Sequence, residues 1–216
     1  MKQFLGGIAV IAIVALHALS SGVPAGWRLR RLARSKAVRR ACEDTEEQLR
    51  ARLAEIARTY GLRPVLSQTV DSCWRASRLD GLFPGSISRP AMTGQLRIVA
   101  YFAPSAPVER AVPELIERLP PRLRYADHFE PKPEPDSPGP HYVLDGQGHA
   151  HIDWDIPGGR LMTAWVPSRK SRYTLREHVS TDPDGLTLEQ AREAHGPLVA
   201  WDLSATYYER SRTRTR

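Results

Sequence analysis

Apolar residues fill Phe4 to Leu19 almost without a break, inside an uncharged run that extends from Gln3 to Trp27. As a helix, Gln3 to Val23 would rise about 1.5 Å per residue and span roughly 30 Å, the depth of a hydrocarbon core. Ten Phe, Leu, Ile and Val residues lie between Phe4 and Val23, and together they favour insertion by about 3 to 6 kcal/mol before Gly, Ser and His17 subtract. The pattern predicts a transmembrane helix over residues 1–26. A cleaved export signal fits the same apolar run, with Lys2 before it and small residues at Ala18 and Ser20, or Val23 and Ala25, at cleavage-site spacing. The flank separates the two readings. Arg28, Arg30, Arg31, Arg34, Lys36, Arg39 and Arg40 follow at once, and a dense basic cluster opposes export of what comes after it. An uncleaved anchor is therefore favoured.

Beyond the basic cluster the period changes. Val38, Cys42, Leu49, Leu53, Ile56 and Tyr60 recur at three-to-four spacing, which predicts an amphipathic juxtamembrane helix over residues 27–61. Gly61 and Pro64 stop it. Thr45 and Gln48 have capping-box spacing, so a basic arm followed by a separate helix is the other reading. The stripe can pack on its own domain or pair two chains as a short coiled coil.

Val65 to Trp74 and Gln95 to Ala103 read as strands, the second with Leu96, Ile98, Ala100 and Phe102 on one face. Val108, Val112, Leu115, Ile116 and Leu119 form a helical stripe, kinked or begun late because Pro113 falls inside it. Leu123 to Phe129 reads as a further strand. Residues 130–140 hold five prolines in eleven positions, which predicts a stiff, solvated loop.

His149 to Ile156 alternates strictly. Ala150, Ile152, Trp154 and Ile156 fall on one face, and His149, His151, Asp153 and Asp155 on the other. Residues 145–148 join this strand to Tyr142–Leu144 as a hairpin, and Pro157-Gly158-Gly159 turns it toward a strand over Arg160–Val166. Asp182-Pro183-Asp184-Gly185 reads as a turn, followed by a helix capped by Thr187 and Gln190 and ended by Gly196 and Pro197. Val199, Trp201, Leu203, Ala205 and Tyr207 alternate as a last strand. The fold expected is α+β: one domain over residues 62–208, with an antiparallel sheet and two or three helices, and a basic tail over 209–216.

The formal charge of +7 invites a nucleic-acid reading. Its distribution argues against one. The juxtamembrane cluster and Arg210, Arg212, Arg214 and Arg216 account for more than the whole excess, leaving the remainder near −4. No helix-turn-helix, zinc-finger or aromatic RNA-binding signature accompanies the charge, and a basic run beside an apolar segment is what anionic lipid headgroups attract. Membrane lipid is the partner expected, with a second copy or another protein on the juxtamembrane helix. The basic flank also favours a single-pass cell-membrane protein with its domain on the cytoplasmic side.

Candidate chemistry is confined to the polar face of the 149–156 strand. Two histidines two apart on a strand point the same way and can share Zn²⁺ if a neighbour supplies a third ligand. His149, His151 and Asp153 are the candidate metal site, with His141 or His128 as alternative third ligands. A solvated polar face explains the same residues with nothing added. Aligning Gly185 with the invariant glycine of a Ca²⁺ loop puts Ala191 where a bidentate Glu is needed, so that match fails. There is neither a phosphate loop nor a nucleophile elbow. Cys42 and Cys73 are expected to pair in an oxidising compartment and to remain buried thiols in a reducing one. The leading expectation is a membrane-tethered, non-catalytic binding or assembly module. The alternative is a metal-dependent enzyme or metal-binding domain built on the His-x-His strand.

Overall fold

The computed structural model describes residues 26–76, 90–119, 141–144, 148–165 and 173–211, and for 141–144 and 148–149 the backbone alone. The expected anchor falls outside this set except at its end. Gly26, the last residue of that expected span, belongs instead to a first short helix, α1 (Gly26–Ala33). No helix among the described residues is long and apolar enough to cross a membrane.

The basic cluster and the amphipathic stripe are two helices, not one. The break comes at Arg34 and Ser35, well before Thr45. Ser35 is extended (φ −66°, ψ 154°) and its hydroxyl accepts from the Val38 amide, which starts α2 (Lys36–Tyr60). This N-cap satisfies one of the helix's orphan donors. Gly61 ends α2 in the left-handed region (φ 64°), where only glycine sits without strain.

Among the described residues six strands form one sheet, all neighbours antiparallel: β1 (Arg63–Arg75), β2 (Met92–Ala103), β3 (His141–Leu144), β4 (Gly148–Trp154), β5 (Thr174–Asp182) and β6 (Val199–Arg210). Their spatial order is β3-β4-β6-β2-β1-β5. Two further helices, α3 (Val108–Arg118) and α4 (Leu188–His195), lie within 62–208, where two or three were expected, and with α1 and α2 make four among the described residues. α3 begins at Val108 and continues through Pro113. The Thr187–Gln190 capping box is formed, and Gly196 closes α4. The expected strand at 123–129 and the proline-rich loop at 130–140 lie outside the described residues.

Alternation sorts each central strand onto two covered faces. Leu96, Ile98, Ala100 and Phe102 of β2, with Val199, Trp201 and Leu203 of β6, pack against Leu49, Leu53 and Ala57 of α2 and against α3. The α2 stripe is thus buried within its own chain, and pairing of two chains through this helix would use its outer side. On the opposite face Val99, Tyr101 and Ala200 pack against Leu188 and Ala191 of α4 and against Met162. A third cluster joins Leu29 and Ala33 of α1 to Val38, Cys73, Met92 and Leu175. β5 has no counterpart in the sequence reading. The strand expected over Arg160–Val166 is replaced by irregular chain as far as residue 165, although the preceding turn forms, with Ile156 N donating to Arg160 O at 2.9 Å.

Candidate functional site

The polar strand lands where its alternation places it. β4 lies between β3 and β6, so His151 faces Asp202 across one ladder and His141 across the other, while His149 is in register with Ser204 and Val143. His151 and Asp153 are half-buried on this face. Asp153 is engaged locally: its Oδ1 accepts from Arg160 Nη2 at 2.8 Å and from the Trp154 amide at 2.9 Å. Nearby, Arg97 makes a forked pair with Asp202, and its guanidinium lies 4.6 Å from the centre of the Trp165 ring. The side chains of His141 and His149 are outside the described set, as is His128. Among the described residues no three His, Cys, Asp or Glu side chains are grouped to hold a metal ion.

Asp155 departs from the expected pattern. Extending the alternation one residue past Trp154 puts it on the wet face, but β4 ends at Trp154 and Asp155 is 0 % exposed. Its carboxylate is fully occupied. Oδ1 accepts from Met162 N at 2.9 Å and Arg192 Nη2 at 2.7 Å, and Oδ2 from Arg192 Nε at 3.0 Å and Leu198 N at 2.9 Å. Arg192 also donates to the Met162 carbonyl, and its hydrogen bond to Asp155 holds its pKa above the ordinary value. One carboxylate therefore ties the 155–162 turn, α4 and the start of β6 together. A carboxylate with every lone-pair direction committed is a structural clamp, with no proton transfer left to perform.

A second polar cluster joins β1, β5 and β6 under the N-terminal part of α2. Tyr207 Oη donates to Asp71 Oδ1 at 2.6 Å, and Arg176 Nη2 lies 2.6 Å from Asp71 Oδ2 and 3.0 Å from Tyr207 Oη. Cys73 Sγ is 3.0 Å from the same phenol oxygen. With the phenol proton committed to Asp71, the thiol is the donor in that contact. Burial, reinforced by Asp71, pushes the Cys42 thiol up to about 12. Burial likewise raises Cys73, and burial with the Asp71 contact raises Tyr207. Burial lowers Arg176, but the Asp71 carboxylate outweighs it and the net shift is upward. Cys42 and Cys73 are both free and buried, so the pairing expected for an oxidising compartment is absent.

Raised thiol values mean protonated, unreactive sulfur at neutral pH. They also set an alkaline limit on stability. The folded form holds the Cys42 proton up to about 12, whereas the unfolded chain releases it near 9. The associated stability is complete below pH 9 and is lost as the pH rises from 9 toward 12, at up to about 1.4 kcal/mol per pH unit per group. Tyr207 acts in the same direction above its ordinary value of 10. The urea midpoint of the full chain is expected to fall across this window, and to fall less steeply in Cys42→Ala.

The third assembly is basic. α1 buries Leu29, which is 1 % exposed, and Ala33, while Arg28, Arg30, Arg31 and Arg34 face outward. Trp27 is 63 % exposed with the Arg28 guanidinium 5.2 Å from its ring centre. Lys36, Arg39 and Arg40 extend the exposed charge along α2.

No protein-family model, curated protein or solved structure matches this chain. Of the three assemblies, two are closed: the Asp155 and Asp71 carboxylates are hydrogen-bonded and shielded, and the thiols beside Asp71 are held protonated. Of the three, the basic surface is the one whose charges face solvent. The positions of its charges were evident in the sequence. That α1 packs against the sheet was not, because the three apolar positions Leu29, Leu32 and Ala33 are too few to establish a period.

Proposed function

We propose that this chain is a membrane-tethered, non-catalytic binding or assembly module, held by its N-terminal apolar run and set against the lipid surface by α1. The observation that supports this most directly is the seating of α1. Leu29 and Ala33 are part of a core cluster with Cys73, Met92 and Leu175, while Trp27 and the arginines face outward beside the point where the apolar run joins. An exposed indole flanked by cations matches what water–lipid interfaces retain. The closed Asp155 and Asp71 clusters support a scaffold more than a catalyst, since neither leaves a nucleophile or a base accessible.

Fractionation of cells expressing the full-length chain tests the tether. It is expected in the membrane pellet after alkaline carbonate washing and in solution only with detergent. Recovery in the aqueous fraction after gentle lysis would defeat the proposal.

A further inference from the structure

Trp27, Arg30, Arg31, Arg34 and Ser35 line an open cleft of about 520 Å³ along the outward side of α1 and the turn that follows it. No acidic residue interrupts the seven basic ones from Arg28 to Arg40. Arg50, Arg97, Arg110, Arg160, Arg176 and Arg192 each sit against a carboxylate. Among the described residues, none of the seven basic residues from Arg28 to Arg40 has an acidic partner. Concentrating like charge on a docked helix costs free energy in the isolated domain, and an anionic partner relieves that cost. Guanidinium groups match phosphate oxygens in charge and in fork geometry. Ser35 adds a hydroxyl: its oxygen already accepts from Val38 N at 3.3 Å, which leaves its proton to donate.

We propose that this cleft takes the phosphate of an anionic phospholipid headgroup. The inference rests on the reading that the preceding apolar run holds the chain in a membrane, and it assigns the lipid contact to a defined place. The lipid source, as opposed to a free phosphate, is favoured by Trp27: its amphipathic ring forms one wall of the cleft and closes the uncharged run that begins at Gln3, where it would meet the interface.

The test uses the full-length chain in neutral detergent micelles, with phosphatidylglycerol and phosphatidylcholine titrated separately and bound lipid counted by native mass spectrometry. Phosphatidylglycerol is expected to be retained preferentially. Each cleft arginine is expected to carry about fivefold, so Arg30→Gln/Arg31→Gln/Arg34→Gln should weaken retention by about a hundredfold. The control Lys36→Gln/Arg39→Gln/Arg40→Gln removes the same charge outside the cleft and is expected to change retention by no more than a few-fold. Equal losses in the two triple variants, or no preference between the lipids, would overturn the site. Displacement by inorganic phosphate at the lipid's own concentration would overturn the lipid assignment. A chain found in the aqueous cell fraction would count against the tether, and the micelle titration would still decide the cleft.

Discussion

Replacing Arg192 by methionine is expected to destabilise the fold by about 3 to 5 kcal/mol, because it leaves the Asp155 carboxylate buried without its counter-charge. For a chain of this size that corresponds to a fall in Tm of about 6 to 20 °C, read by thermal unfolding of the full chain. Three elements lose their common tie at once: the 155–162 turn, α4 and the start of β6 all meet at Asp155. Two amide hydrogen bonds, from Met162 and Leu198, remain to the carboxylate, but they supply no compensating charge. Asp155→Asn/Arg192→Met is expected to lose less than the sum of its single changes, since the uncompensated charge is gone. A loss below about 1 kcal/mol in Arg192→Met would show that the clamp is not what holds α4 to the sheet.

Gly94→Ala is expected to cost about 2 to 3 kcal/mol, the range of an overpacked core with a disturbed hydrogen bond. A Cβ on Gly94 would lie 2.6 Å from two ring carbons of Tyr207. The ring has little freedom to withdraw, because its hydroxyl contacts Asp71, Arg176 and Cys73 together. The register shift between Gly94 and Gln95 against β6 accompanies this close approach. In a Tyr207→Leu background the same glycine substitution is expected to cost under about 1 kcal/mol, so a double-mutant cycle measures the contact directly. Equal costs in both backgrounds would place the effect in the β2 backbone instead.

These two clusters mark where sequence reading stops. β2 and β6 were legible because both are central: cover on both faces fills β2 with apolar residues from Ile98 to Ala103, and β6 alternates from Val199 to Tyr207. β5 was not, because it is an edge strand exposed from His178 to Ser180, and Leu175 and Val179 are its only aliphatic residues. The helix capped by Thr187 was legible from local chemistry. Asp155 was misplaced because alternation carries no information about where a strand ends. The partners of Tyr207 lie 31 to 136 residues away in sequence, a separation at which spacing says nothing. As for the polar strand, its pairing with β3 followed the hairpin read from the sequence, but β6 lies where the strand over Arg160–Val166 was expected, and Asp153 is bound to Arg160, seven residues on. The basic cluster was read as charge beside an apolar run; its role as a packed part of the domain depends on Leu29 and Ala33 meeting residues of β1, β2 and β5.

Amide hydrogen exchange of the full-length chain in detergent micelles reports on that packing residue by residue. An isolated eight-residue helix is too short to protect its amides in water. If α1 is part of the domain, the amides of residues 30–33 will exchange as slowly as those at the start of α2, and Leu29→Ala will speed both. If residues 30–33 exchange at unfolded rates while α2 stays protected, α1 is a free arm and the domain is not seated against the membrane as described.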